Sequence, residues 1–267
     1  MDRRQFLTAL AAGTAVVASG YAGYQPVRDF TAVHRRMSVP ISPVGHAEPW
    51  EPLPQRIPLP RGTLTALPGP GRNLALTVDD GVSSEVVGAY IRFARDTGAR
   101  FTFFVTGSYR SWREHRAELI PLVESGQIQL GNHTWTHPDL TGLSSSRVAE
   151  ELRRNKEFLH NAFGVDGTPY YRPPYGFHNA AVDAVAADLG YTTPTLWYGS
   201  LSDSGMITPQ YLLKCAWEWF RPQSIIIGHA NHRPVTRVYP ELIDIIRQRQ
   251  LTMVTLNDYF VARPAPR

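Results

Sequence analysis

Two adjacent aspartates, Asp79 and Asp80, directly follow the apolar run 74–78. A short apolar run of this kind predicts a buried β-strand, and successive side chains of a strand point to opposite faces. Two consecutive carboxylates therefore cannot both enter a core. At the carboxyl end of the strand both can reach a cleft, where one can bind a cation and the other can stay free as a base.

From residue 73 onward, strand-like and helix-like segments alternate along the chain. Strands are predicted at 74–78, 101–105, 127–130, 170–171, 193–197, 224–227 and 251–256, and helices at 84–97, 112–125, 146–163, 180–189, 209–220 and 240–249. This alternation is typical of an α/β fold with a parallel sheet and helices outside it. About seven strand–helix units predict a closed or nearly closed barrel, whose catalytic groups lie at the carboxyl ends of the strands.

Unusual polar residues follow five of these predicted strands. Besides the two aspartates they are His133, Arg172, Asp203 and His229. We expect these carboxylate, imidazole and guanidinium groups to meet at one end of the barrel.

His133 and His137 are four positions apart, so on one helical turn they would face the same way. Two neutral imidazoles and one carboxylate form a three-ligand set that leaves positions open for water and substrate. We expect a divalent metal, zinc foremost. Cobalt or another first-row metal also fits, because the ligand types do not choose among them.

Four short segments carry a resemblance to a known family, and 101–107 adds a similar second strand. The segments are 77–81 (TVDDG), 133–137 (HTWTH), 172–176 (RPPYG) and 225–229 (IIIGH). Together they resemble the polysaccharide deacetylase family, the NodB-homology carbohydrate esterases of family 4, over about residues 72–260. The resemblance implies a distorted (β/α)7 barrel and a metal-dependent N-deacetylase.

The resemblance also implies roles for individual residues of the metal half of the site. Asp80, His133 and His137 would hold the metal, and Asp79 would be the general base. Arg172 would keep Asp79 ionised and oriented, since a neighbouring guanidinium favours the charged carboxylate.

The remaining implied roles concern substrate and leaving group. The backbone N–H of Tyr175 would stabilise the oxyanion, and His229 would protonate the departing amine. We expect Trp197, Leu201 and Ile227 to line a small pocket for the acetyl methyl group.

The fourth family motif departs from the pattern Trp-x-x-Asp-x-x-Asp-Trp. Ser200 stands where the first Asp is expected, and Ser204 replaces the last Trp. We expect His229 to lose its carboxylate partner, unless Asp203 reaches it from further along the loop. The metal half of the site is thus expected to be intact and the acid half altered.

The domain organisation is predicted from composition. Residues 1–23, with Arg3 and Arg4 before an Ala-rich apolar stretch, resemble a twin-arginine export signal. Residues 24–71 are a Pro-rich linker, with a wrap against the domain possible around 61–67. Residues 72–262 form the deacetylase domain, and 263–267 a tail.

These features predict an exported, extracellular or cell-wall-associated monomer that acts on a polysaccharide or oligosaccharide. A membrane tether is expected only if the signal stays uncleaved. The net charge is +4, but no run of basic residues interleaved with aromatics indicates nucleic-acid binding.

The leading hypothesis is a secreted, metal-dependent enzyme that removes N-acetyl groups from polymeric amino sugars such as peptidoglycan or chitin-like chains. One alternative is an O-acetyl esterase or other amide hydrolase of the same fold. The other is a catalytically weak wall-associated protein.

Overall fold

The structure, a computed structural model, describes residues 50–262. The predicted export signal, most of the linker and the tail lie outside the described residues. Within the described part of the chain, no helix is both long and apolar enough to cross a membrane.

The elements alternate between strand and helix, as expected. In chain order they are β1 (Ile57–Pro58), β2 (Asn73–Asp80), α1 (Ser84–Thr97), β3 (Phe101–Val105), α2 (Ser111–Glu114), α3 (Arg116–Glu124), β4 (Ile128–Asn132), α4 (Ser145–Phe163), β5 (Tyr170–Tyr171), α5 (Ala180–Asp188), β6 (Thr193–Pro194), β7 (Gly199–Ser200), α6 (Pro209–Trp219), β8 (Ser224–His229), α7 (Tyr239–Gln248), β9 (Thr252–Met253), α8 (Leu256–Tyr259) and β10 (Phe260–Val261). Single 3₁₀ turns lie at Leu140–Gly142, Pro174–Gly176 and Arg233–Arg237.

The main sheet is parallel, with strand order β6-β5-β4-β3-β2-β8-β7, and β9 also pairs with β2. The central strand β2 lies between β3 and β8, in a register that pairs Asp79 with Phe104 on one side and with His229 on the other. This curled parallel sheet with outer helices confirms the α/β fold of the NodB-homology barrel type. It also brings the first and last predicted catalytic strands side by side.

Both faces of the sheet are apolar, as parallel strands covered on two sides require. Val78, Phe103 and Leu130 contribute to the core beneath the outer helices. Ala75 and Phe104 lie on the opposite face of the sheet and contribute to the core inside the curl. Alternation along the strands thus separates a structural face from the face that leads to the site.

The second half of the predicted linker packs on the domain. β1 pairs in parallel with β10, and Leu64 forms a bridge with Thr195. Leu59, Leu64 and Leu67 are buried in the inner core. The proline-rich sequence still forms no long element there, because proline removes backbone donors.

Several predicted boundaries are corrected. Helix α1 ends at Thr97 as predicted, but Ser84, expected as its N-cap, is the first helical residue. The N-cap is Ser83, whose side chain accepts from the backbone N–H of Val86. The helix predicted at 112–125 is divided at His115. The strand predicted at 251–256 ends early, because Thr255 forms a capping box that starts α8.

Candidate active site

The two adjacent carboxylates reach the same cleft because the backbone twists between them. Asp80 has a φ of 73°, in the left-handed region, which breaks the alternation of the strand. Asp79 Oδ2 lies 3.5 Å from His133 Nε2, and Asp80 Oδ1 lies 3.3 Å from the same nitrogen. Both aspartates are buried, so each needs its own partner.

His133 and His137 do not share a helical turn, and that expectation was wrong. They lie in an irregular loop between β4 and the 3₁₀ turn at Leu140–Gly142, where Thr134 and His137 have φ values of 68° and 62°. The loop folds back so that His137 Nε2 lies 3.2 Å from Asp80 Oδ1. A tight loop, and not a helical turn, therefore brings the two histidines together. Within it the Thr134 hydroxyl accepts from the backbone N–H of His137.

A buried carboxylate that the sequence analysis missed holds this loop. Glu151, on α4, accepts from the backbone N–H groups of Trp135 and Thr136 at 3.0 and 2.7 Å, and from the Thr136 hydroxyl at 2.8 Å. The sequence signal for Glu151 was its position on the apolar face of α4, next to Leu152. A charged residue at such a position needs a buried partner.

The donor atoms of Asp80, His133 and His137 fit a metal ion. All lie within 4.8 Å of one another. The two imidazole–carboxylate distances match the spacing of about 3.3 Å between ligands placed 2.0–2.1 Å from a tetrahedral metal. Asp80 Oδ1 is buried and has no hydrogen-bond partner among the described residues, although a buried carboxylate oxygen needs one.

The two site histidines differ in their protonation. His133 Nδ1 donates to the carbonyl oxygen of Arg172 at 2.7 Å, which directs Nε2 toward Asp80. Burial lowers the pKa of His133, but the charge of Asp79 and the contact with Asp80 outweigh it and raise the pKa above its usual value in the metal-free protein. Burial, reinforced by the nearby His133, lowers the pKa of His137 to about 4, so its ring is neutral at pH 7. Although burial raises the pKa of Asp80, the close contact and charge of His133, followed by smaller contributions from His137 and His229, outweigh it and hold the pKa below its usual value.

Arg172 is fully buried and binds one oxygen of Asp79. Its Nη1 donates to Asp79 Oδ1 and to the Thr77 hydroxyl, both at 2.7 Å. Its other nitrogens donate to the carbonyl oxygens of Thr195 and Leu196 at 3.0 Å. Because Arg172 uses these two carbonyls, the strand predicted at 193–197 shortens to β6.

Asp203 reaches His229, so the alternative that the sequence left open applies and His229 keeps a carboxylate partner. Asp203 Oδ1 lies 2.9 Å from His229 Nδ1, and its Oδ2 accepts from the backbone N–H of His229 at 3.1 Å. Burial alone lowers the pKa of His229, but the hydrogen bond and charge of Asp203, then the charges of Asp79 and Asp80, raise it to about 9. His229 is therefore protonated at neutral pH.

Ser200 supports this pair through the backbone. Its hydroxyl accepts from the N–H of Ser202 at 2.9 Å, and Ser202 has a φ of 57°. This local turn directs Asp203 toward His229. A short polar side chain suffices for such a turn, since serine and aspartate both cap turns in this way.

The residues expected to contact the substrate lie in different surroundings. Tyr175 lies in the turn Pro174–Gly176 with a φ of 59°, and its exposed ring lies 4.7 Å from that of His137. Trp197 is half-buried, 5.6 Å from the Arg172 guanidinium. Ile227 is buried on β8, whereas Leu201 is packed in the core beneath the helices. Their substrate roles stay predictions.

A model of the polysaccharide deacetylase family matches residues 66–194. This stretch holds both aspartates, both metal-site histidines and Arg172. Over these residues the chain resembles the polysaccharide deacetylase family. The family resemblance and the fold expected from the motifs are therefore confirmed.

Individual relatives agree with this assignment. Chitin deacetylase 1 of Cryptococcus neoformans var. grubii is 34% identical over 130 residues, which are 48% of this chain and 26% of that protein. The peptidoglycan-N-acetylmuramic acid deacetylase PdaA of Bacillus subtilis is 25% identical over 70% of this chain and 71% of its own length. The chain thus spans about a quarter of that chitin deacetylase.

A solved structure of the same fold is BA3943 of Bacillus anthracis, described as a pseudoenzyme of carbohydrate esterase family 4. It is 19% identical, with a TM-score of 0.67 over 77% of this chain and 72% of that one. At this identity the likeness shows the fold alone, so activity has to be argued from the side chains present.

Asp203→Asn should lower the pKa of His229 in the metal-free protein by more than about one unit, because it removes the charge that stabilises the imidazolium. Histidine-ring NMR titration measures this directly. Asp183→Asn, which alters the partner of His178 instead, is the matched control and should leave the pKa of His229 unchanged. An unchanged His229 pKa in Asp203→Asn would contradict the assignment.

Proposed function

We propose that this chain removes N-acetyl groups from polymeric amino sugars, in peptidoglycan or in a chitin-like chain, by metal-assisted hydrolysis. One observation carries the proposal: the two adjacent carboxylates both lie near His133 but differ in their other partner. Asp80 also faces the imidazole of His137, whereas Asp79 is bound by a buried guanidinium. One aspartate is thereby suited to bind a metal, and the other to remain a base.

Asp80, His133 and His137 would hold the metal, for which we propose zinc. A divalent cation there would polarise the acetyl carbonyl and lower the pKa of the attacking water. Asp79 would accept the water's proton on Oδ2, because Arg172 occupies its Oδ1. The backbone N–H of Tyr175 would face the developing oxyanion, as the motif implies.

His229 would donate its proton to the departing amine nitrogen. An amide nitrogen leaves poorly unless it is protonated, so the reaction needs an acid that stays charged at neutral pH. The pair of His229 with Asp203 supplies this charge. After the reaction Asp79 holds one proton more and His229 one fewer, and exchange with water restores both.

An O-acetyl esterase is the second candidate function. Its main motivation was the altered fourth motif, since esters have better leaving groups and need less help from an acid. The short contact between Asp203 and His229 removes that motivation and favours an amide substrate. The third candidate is a catalytically weak wall-associated protein. The presence of a proposed base, a proposed acid and a metal-ligand set argues against it.

We also propose that the protein is exported by the twin-arginine route and acts in the extracellular space or cell wall. The motivation is Arg3-Arg4 ahead of the Ala-rich stretch, together with a polymeric substrate. Changing both arginines to lysine should trap precursor inside the cell, and unimpaired export would refute this route.

The adjacent aspartates give a matched pair of variants. Asp79→Asn should reduce acetate release from N-acetylglucosamine oligomers by about 10²–10⁴-fold, the usual contribution of a general base, while metal affinity stays within a few-fold of the parent. Asp80→Asn should lose both the metal and the activity. Released acetate and bound zinc are measured on each variant.

Acetylated xylan is run in parallel with the oligomers. Acetate from the amino sugar that disappears with a chelator supports the proposal. Acetate from xylan alone would favour the esterase, and no acetate from either substrate by the zinc-loaded protein would favour the catalytically weak alternative. Metal loss in Asp79→Asn with retention in Asp80→Asn would reverse the two assigned roles.

A further inference from the structure

Asn231, two residues after His229, binds a carboxylate of the candidate metal site from outside the three-ligand set. Its side-chain Nδ2 donates to Asp80 Oδ2 at 2.6 Å. Its Oδ1 accepts from the backbone N–H of Val82 at 3.2 Å. The backbone N–H can only donate, so this contact fixes which end of the amide faces Asp80.

The two oxygens of Asp80 therefore have different surroundings. Oδ2 is bound by Asn231, whereas Oδ1 is buried, has no hydrogen bond among the described residues and lies 3.3 and 3.2 Å from the two imidazole nitrogens. The carboxylate cannot rotate about its Cβ–Cγ bond without breaking the Asn231 contact.

We propose that Asn231 is a positioning residue that holds Asp80 so that Oδ1 alone is offered to the metal. This inference rests on the proposed metal site and adds a determinant of its affinity and coordination. Hydrogen bonds to the free atom of a metal ligand change affinity by about 10–100-fold in comparable sites.

One-oxygen coordination also bears on which metals suit the site. Zinc and cobalt accept few, compact ligands, whereas calcium takes six to eight oxygens and often both oxygens of a carboxylate. By occupying Oδ2, Asn231 favours the smaller transition metals.

The loop that carries Asn231 is attached to β2 by backbone contacts as well. Ala230 N donates to the carbonyl oxygen of Asp79 at 2.9 Å, and Ser83 N donates to that of Ala230 at 3.1 Å. Replacing the Asn231 side chain therefore leaves the loop anchored, so its effect on the metal can be separated from a loss of fold.

A nearby ion pair provides a matched control. Arg233 Nη2 lies 2.6 Å from Glu85 Oε2 and connects the same loop to α1, but both side chains are exposed and neither contacts Asp80. Arg233→Ala removes a neighbouring connection, between the segment after Asn231 and α1, without touching the carboxylate. Exposed ion pairs contribute little to stability.

The experiment measures zinc and cobalt affinity by chelator competition for the parent, Asn231→Leu, Asn231→Ala and Arg233→Ala. The visible absorption of the cobalt-loaded proteins reports the coordination, and thermal unfolding of the metal-free proteins checks the fold. We expect metal affinity about 10–100-fold weaker in both Asn231 variants, with an altered cobalt spectrum. Arg233→Ala should match the parent in both measurements.

Parent-like affinity and an unchanged cobalt spectrum in both Asn231 variants would overturn the inference while leaving the metal site standing. An equal loss of affinity in Arg233→Ala would also overturn it, because tethering of the loop would then explain the effect. A parent protein that binds neither metal would overturn the proposed site and this inference together.

Discussion

The site depends on giving suitable partners to two neighbouring buried carboxylates. Like charges this close cannot both persist in a low-dielectric interior unless each has a positive or hydrogen-bonding partner. Arg172 supplies the partner for Asp79, and the two imidazoles supply it for Asp80. These partners come from the residue after β5 and from the loop after β4, so the order of the strands in the sheet brings them to the two aspartates.

The backbone at the site is strained at several individual residues, and side-chain contacts hold these conformations in place. Among the described non-glycine residues, positive φ values occur at seven positions, five of them on the site loops: Asp80, Thr134, His137, Tyr175 and Ser202. Each such conformation costs on the order of 1–3 kcal/mol and persists only where surrounding contacts fix it. The Glu151 carboxylate and the Ser200 hydroxyl are two of these contacts.

The sequence predicted those structural features that depend on the local pattern of residues. Buried strands such as 101–105 have a strong apolar signal, and the motif residues cluster because the carboxyl ends of parallel strands meet at one edge. The helical turn for His133 and His137 was wrong, because a four-residue spacing cannot distinguish a helix from a tight loop. Whether Asp203 contacts His229 was left open by the sequence, because the two residues are 26 positions apart and the path of the loop between them has no local signal.

Residues that act through distant partners could not be found in this way. Asn231 is an ordinary loop asparagine in the sequence, and its partner Asp80 is 151 positions away. Glu151 gave only a weak signal, a charge on an apolar helix face, and nothing in the sequence identified the loop it would bind.

The most direct test of the account is a crystal structure of the zinc-loaded protein with anomalous diffraction at the zinc edge. The account predicts one peak about 2.0–2.2 Å from Asp80 Oδ1, His133 Nε2 and His137 Nε2, with Asp79 still bound to Arg172. Zinc bound by Asp79, or a peak away from these three atoms, would contradict the division of roles between the two aspartates.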